Sequence, residues 1–393
     1  MGDKIVVEDV YKIFGPRPEV ARRMIGEGWD KDDIFDQTGN TVGVQQASFS
    51  IGEGESFVIM GLSGSGKSTM VRLLNRLIEP TSGTIRVDDQ DITAMSRAEL
   101  IRLRRIDMSM VFQSFALMPH QSVLQNAMFG LEVSGSLASR QQRRERALEA
   151  LEQVGLRANA YSYPDELSGG MKQRVGLARA LAVNPSILLM DEAFSALDPL
   201  IRTQMQDELI DLQRQQQRTI VFISHDLDEA MRIGDRIAIM EQGRVVQIGT
   251  PQEIVTQPAN DYVRSFFQGV DVTRVFSAGD IAVDTAVPMA DPATSSAASL
   301  REQIAGSGGG AVALVDATGR YQGMATSASL DSGGQRGDVA DPEVQPLAAD
   351  RALSGLVGPV AAAPWPVPVV DAAGCYLGAI TKTALLQTLN RGE

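Results

Sequence analysis

Apolar residues in this chain fall into short unbroken runs separated by stretches of helical period. Phe57-Val58-Ile59-Met60, Ile187-Leu188-Leu189-Met190 and Thr219-Ile220-Val221-Phe222-Ile223-Ser224 are almost wholly apolar. Runs of that length read as strands covered on both faces, as in a parallel sheet. Residues 3–14 read as a strand entering a loop, with Ile5–Val7 its apolar part, and further strands are expected at Val42–Ile51, Gly83–Val87 and Met108–Gln113. Helical patterns lie between them. One runs from Lys67 to Leu77 and stops at Glu79-Pro80-Thr81-Ser82-Gly83; others span Arg97–Arg105, Ala138–Gly155, the stretch from Ser168 to Asn184-Pro185, and a Gln-rich segment around 203–217. Alternating strands and helices predict an α/β domain over residues 1–265, interrupted by a charged helical insertion at 16–43 that carries Ala21, Met24 and Ile25 on one side.

After about Asp271 the pattern changes to one rich in Ala, Gly, Asp and Pro. Residues 311–323 and 367–378 look alike: an apolar strand, an Asp-x-x-Gly turn at Asp316–Gly319 or Asp371–Gly374, then a strand containing Tyr321 or Tyr376. This is an internal repeat of a hairpin unit. The stretches 306–310 and 331–341 read as loops, and residues 266–393 as a second, α+β domain.

Local chemistry is concentrated after the first buried run. Gly61-Leu62-Ser63-Gly64-Ser65-Gly66-Lys67-Ser68-Thr69 fits G-x-x-x-x-G-K-[ST] and sits between a strand and a helix, the context such a phosphate-binding loop requires. Its glycines let backbone amides turn toward phosphate, and the helix N-terminus adds a positive end. Lys67 is placed to reach the β- and γ-phosphates, and the Ser68 hydroxyl to ligate Mg²⁺. Asp191 and Glu192 end the strand Ile187–Met190. The first suits a water-mediated hold on Mg²⁺, the second polarisation of an attacking water. Leu167-Ser168-Gly169-Gly170 opens a helix between these two motifs and offers an anion a hydroxyl and close amides.

Composition narrows the rest. At 393 residues two or three domains are expected, and no apolar stretch is long enough to span a membrane. The N-terminus lacks the apolar core of a signal peptide. A formal charge of −13 argues against broad nucleic-acid binding. Cys375 is the single cysteine, so no internal disulfide forms, and a small apolar role suits it. Histidine chemistry falls to His120 or His225.

In this order, the motifs resemble those of an ATP-binding-cassette ATPase, with Leu167–Gly170 similar to that family's signature. The resemblance implies a P-loop NTPase cassette with an α-helical signature subdomain at about 114–180, working as a head-to-tail homodimer. Ser168, Gly169 and Gly170 of one chain would close over ATP held by the other. It also implies that Gln113 senses Mg²⁺ and the attacking water, that Asp198 in Ser195-Ala196-Leu197-Asp198 lies in the loop between sites, and that His225 contacts the γ-phosphate. Phe14 would stack on adenine, a buried core position being the other reading. His120 matches no catalytic position and reads as a surface-loop residue.

The insertion at 16–43, the run from Val58 to Gly83 and the run from Val111 to His120 are similar to the ATPase subunit of glycine betaine/L-proline importers. This implies a peripheral protein at the cytoplasmic membrane face, partnered with a permease and through it a solute-binding protein. Phe115, Leu117 and Met118 read either as core or as the permease contact. The C-terminal repeat resembles tandem CBS modules, a regulatory appendage of that subfamily. An importer of another small solute and a non-transport cassette ATPase are the alternatives. Repair-type cassettes insert long heptad helices and translation types carry two P-loops; this chain has neither.

Overall fold

The computed structural model describes residues 2–390 except 113–115, 136–138, 196, 268–270, 272, 274, 284–286, 308–309, 332–339 and 342–343, and the side chain of residue 216. The chain divides into two compact units, Met1–Val263 and Arg264–Glu393.

In the first unit, β1 (Asp3–Phe14) pairs antiparallel with β2 (Thr41–Gly52), and α1 (Pro18–Gly26) and α2 (Lys31–Thr38) lie between them in sequence. Ala21, Met24 and Ile25 face inward on α1, the side the periodicity predicts, and pack on Tyr11, Ile13, Ile34 and Val42. The base of the insertion is closed by Asn40, fully buried, whose side chain bonds Arg17 N and O at 3.2 Å each. Gly15 is required there: its φ is +133°, and a Cβ would lie 2.2 Å from Asn40 Oδ1. Trp29, between the helices, is exposed.

The runs expected as strands around the P-loop do not form one sheet. β2 belongs to a four-stranded sheet with β1, β4 (Ser82–Val87) and β5 (Gln90–Asp91). β3 (Ser56–Met60) belongs instead to a six-stranded sheet with β6 (Met108–Val111), β7 (Ile187–Asp191), β8 (Thr219–Ile223), β9 (Arg236–Glu241) and β10 (Arg244–Gly249). The reason is visible in the patterns: β3, β7 and β8 are buried at every position, whereas β2 has exposed positions along it. The larger sheet runs β10-β9-β3-β8-β7-β6, parallel except at its β10 edge. The sheets meet in one core, where Phe49 of β2 stacks on Phe57 of β3 at 5.4 Å between ring centres. Each such side chain taken fully from water stabilises the unit by about 1.5–3 kcal/mol.

Helix α3 (Lys67–Leu74) ends three residues before the expected Leu77, because Arg76 takes a left-handed φ of +51°. α4 (Arg97–Ile106) starts on a capping box between Ser96 and Glu99. α5 (Val123–Ser134) falls inside the helical subdomain expected at about 114–180, although the residue pattern marks no helix at these positions. It is mostly apolar, and its buried polar residue, Asn126, bonds the carbonyls of Met118 and Gln121. Such a helix shows no amphipathic stripe. It packs with α6 (Arg140–Gln153) and α7 (Gly169–Ala182). α8 (Pro199–Gln216), α9 (Leu227–Ile233), α10 (Pro251–Thr256) and α11 (Asp261–Phe266) follow, the last running across the division between units.

The second unit holds the repeat. β11 (Met289–Ala290) pairs parallel with β12 (Ala311–Val315), which forms a hairpin with β13 (Tyr321–Thr326); β14 (Leu347–Ala348), β15 (Val367–Val370) and β16 (Tyr376–Ile380) repeat the arrangement. The two hairpins face each other reciprocally. Tyr321 N donates to Gly374 O and Tyr376 N to Gly319 O, both at 3.0 Å, and the two rings stack at 6.0 Å. Helices α12 (Ala278–Ile281), α13 (Ala297–Gly306), α14 (Ser327–Asp331), α15 (Val357–Ala362) and α16 (Lys382–Leu389) surround them. Trp365 packs in this unit near Gly310. Cys375 is half-buried, in the second hairpin turn. The expected loops fall partly outside the described residues, at 308–309 and 332–339, and Gly306 closes α13. Among the described residues no helix is long and apolar enough to cross a membrane.

Candidate nucleotide site

The carboxyl ends of β3, β7 and β8 deliver the site's side chains to one edge of the larger sheet, where ligands of such sheets bind. The loop Gly61–Gly66 leaves β3 through glycines at φ +147° (Gly61), +77° (Gly64) and +103° (Gly66). Two of them also admit close backbone. A Cβ on Gly61 would lie 2.2 Å from Met240 O, and one on Gly66 2.3 Å from Gly43 O. Lys67, buried, curls over the loop and donates to Gly61 O at 2.7 Å and Leu62 O at 3.0 Å. Burial pulls its ammonium below the ordinary lysine value, against the opposing pull of Glu192 and Asp191.

Ser68 Oγ donates to Asp191 Oδ1 at 3.0 Å, and Arg72 stands 3.9 Å from the other carboxylate oxygen. Asp191 is 3% exposed; burial pushes its carboxyl up, opposed by the Ser68 bond and Arg72. Ser65 Oγ is buried and has no hydrogen-bond partner among the described residues. The converging Ser68 hydroxyl and Asp191 carboxylate form an all-oxygen donor pair, which fits a hard divalent cation. Glu192 takes a left-handed φ of +49°, held by Ser195, whose N and Oγ donate to Glu192 O at 3.2 and 2.9 Å. That turn swings its carboxylate off the strand to within 3.7 Å of His225 Nδ1. His225 itself is thrown outward by a turn in which Asp226 N donates to the buried Ser224 Oγ at 2.9 Å. Sequence reasoning gave neither Arg72 nor Ser224 a role at the site, since one is an exposed helical arginine and the other ends a strand.

The structure thus brings together Lys67, Ser68, Asp191, Glu192 and His225. Phe14 ends β1 40% exposed, under Lys12 Nζ at 4.9 Å, so the core reading of this ring does not hold. A Cβ on Gly43 would lie 2.9 Å from that ring and 3.3 Å from Thr69. Leu62, Ser63 and Gly64 form the exposed rim of the loop. Gln113 and Phe115 lie outside the described residues; Leu117 and Met118 are half-buried and His120 is exposed.

Ser168, Gly169 and Gly170 are not brought to this site by their own chain. Ser168 caps α7, accepting from Met171 N at 3.3 Å, and among the described residues no hydrogen bond joins the three to the P-loop. Asp198 likewise caps α8 through Ile201 N at 3.1 Å and is exposed.

A family model described as ABC transporter matches residues 44–195. The chain is 55% identical over 401 residues to the glycine betaine/proline betaine transport system ATP-binding protein ProV of Salmonella typhimurium, covering 100% of this chain and 98% of that protein. The chain belongs to the ATP-binding subunits of the glycine betaine family of ABC transporters. Its similarity to the glycine betaine transport ATP-binding protein OpuAA of Bacillus subtilis is 46% identity over 98% of this chain and 92% of the relative. Among solved structures it resembles a dimeric ATP-binding cassette, MJ0796, in a post-hydrolysis state bound to ADP and Pi, with a TM-score of 0.55 and 32% identity over 63% of this chain and 98% of that one. The P-loop cassette fold and ATP as the bound nucleotide follow for this ABC ATPase.

Proposed function

We propose that this protein is the ATP-hydrolysing subunit that powers import of glycine betaine/proline-type osmoprotectants. The observation carrying this is the 55% identity to ProV over an alignment that spans the whole of this chain. Two chains would pack head to tail at the membrane's cytoplasmic face, on a permease served by a solute-binding protein. The signature supports this: Ser168 and Gly169 are exposed, and among the described residues the Ser168 side chain engages only in capping its own helix and no hydrogen bond joins Ser168–Gly170 to the P-loop of the same chain. MJ0796 is itself dimeric.

The residues divide the chemistry as follows. Backbone amides of Gly64–Thr69 cradle the phosphates, and Lys67 leaves its two carbonyls to meet the β- and γ-oxygens. Ser68 and Asp191, with Gln113, would hold Mg²⁺, which supplies neutralisation of phosphate charge when bound. Glu192 orients and deprotonates the attacking water, and His225, beside its carboxylate, faces the γ-phosphate. Phe14 offers its exposed ring to adenine. Asp198 at the head of α8 communicates with the partner's site. ATP contacts available only in the closed dimer drive closure, and their loss on hydrolysis reopens it.

For the permease, a groove of about 270 Å³ offers a seat in which apolar Leu77, Met110, Phe129 and Val133 stand beside Arg104, Arg105 and Arg179. We assign Met1–Val263 to the nucleotide-binding domain and the reciprocal hairpins of the second unit to a tandem CBS-like regulatory domain.

Uptake of labelled glycine betaine in cells, at low and high osmolarity with proline and choline as competitors, tests the reading. With Glu192→Gln, osmolarity-dependent uptake is expected to vanish and ATPase activity to fall about 10²–10⁴-fold, with ATP binding retained. Betaine uptake indifferent to the substitution would sink the assignment of solute.

A further inference from the structure

The ABC transporter match spans residues 44–195, yet the P-loop is braced from behind by residues on either side of that span. Leu62 N donates to Tyr262 Oη at 3.4 Å, and Tyr262 Oη donates to Met240 O at 3.2 Å. Met240 O is the carbonyl against which Gly61 is wedged. From the insertion, Lys31 Nζ donates to Gly64 O at 3.3 Å. From the turn after β9, Gly243 N donates to Ser65 O at 2.9 Å.

These contacts have a directional consequence. A P-loop works because its amides and its lysine point at phosphate while the rest of its backbone is tied elsewhere. Leu62 is the residue where this division is made. Its carbonyl accepts from Lys67 Nζ and from Ser65 N at 3.1 Å, facing into the loop, while its N–H turns out to Tyr262. Tyr262 is itself well seated. Its neighbour Val263 is fully buried and donates to Asn260 Oδ1 at 2.9 Å, and α11 carries the segment on past the division into the second unit. Burial pushes the Tyr262 hydroxyl up, so it stays a neutral donor and acceptor through the physiological range.

We propose that Tyr262 is a positioning residue for ATP binding: its hydroxyl fixes the Leu62 peptide and with it the rim of the loop that Lys67 spans. Tyr262 touches the loop from behind and acts through Leu62. Lys31 is an independent second brace on the same rim. The proposal rests on the P-loop being the ATP site.

The test is Tyr262→Phe in the full-length chain, which keeps the ring and removes one oxygen. Hydrogen exchange of the P-loop peptide, measured without nucleotide, is expected to be faster at Leu62 by roughly threefold or more. The KM for ATP should rise roughly two- to tenfold, the range of one neutral hydrogen bond, with kcat within about twofold and melting temperature unchanged. Lys31→Met should raise P-loop exchange separately, and the double variant should show both effects. Wild-type exchange and KM in Tyr262→Phe would overturn the proposal. So would a joint fall of kcat and melting temperature, which marks a general structural role. The exchange readout needs no ATP, so a brace that fails is distinguishable from a mistaken nucleotide assignment.

Discussion

In the first unit the polar groups of the site come from residues 61–69, 191–192 and 224–225 and meet only because three parallel strands end at one edge. In the second unit the polar side chains of the repeat work locally. Asp316 accepts from Thr318, Arg320 and Gln322, and Asp371 from Ala373 and Cys375. The first arrangement concentrates function in contacts of long sequence separation. The second makes a turn self-sufficient, so that what joins its two hairpins is the reciprocal pair of backbone hydrogen bonds, the Tyr321–Tyr376 stack and a shared apolar cluster. Disturbing one class of contact should therefore remove chemistry with little change in stability, and disturbing the other should do the reverse.

Lys67→Ala presses hardest on that contrast. Loss of the ammonium is expected to weaken ATP binding at least tenfold, as charge-assisted bonds to phosphate are lost. Without nucleotide the melting temperature should change little. With it, the stabilisation that ATP gives the wild type should be absent, and calorimetry with and without ATP measures both. In the other unit Met324→Ala, at a fully buried position, is expected to destabilise that unit by about 2–5 kcal/mol. Denaturant unfolding should show this while basal ATPase stays within about twofold of wild type. An ATPase loss as large as that of Lys67→Ala would break the comparison.

The smallest effect is one of pH. Bonds from Thr318 and the Arg320 amide hold the Asp316 carboxyl at about 2, below its ordinary 3.8. A depressed acid contributes stability that is fully present above 3.8 and is lost as pH falls through about 2. Asp316→Asn should flatten the acid limb of the second unit's melting curve in that window and lower its melting temperature modestly at neutral pH, where the ionised carboxylate's contribution is lost.

Much of the first unit was legible because its signals are local and its burial is extreme. The runs in β3, β7 and β8 have no exposed position to confuse with a helix, and the P-loop glycines are spaced by the turn they make. What escaped depends on partners distant in sequence. That β2 and β3 join different sheets is decided by what covers each, and α5 hides Asn126 inside an apolar surface. At the site, Lys67, Ser68, Asp191, Glu192 and His225 could be named from motifs. Tyr262 and Lys31 could not, since each belongs to no motif and matters only for the atom it reaches.

The chain has two tryptophans, Trp29 in the insertion and Trp365 in the second unit. Each unit therefore carries its own intrinsic fluorophore. With Trp29 exposed two residues from the lysine that braces the P-loop, and Trp365 half-buried beside Gly310, replacing either indole by phenylalanine leaves an optical signal from the other unit alone. Nucleotide-linked changes in the cassette and unfolding of the repeat are then separable by light, without an added dye.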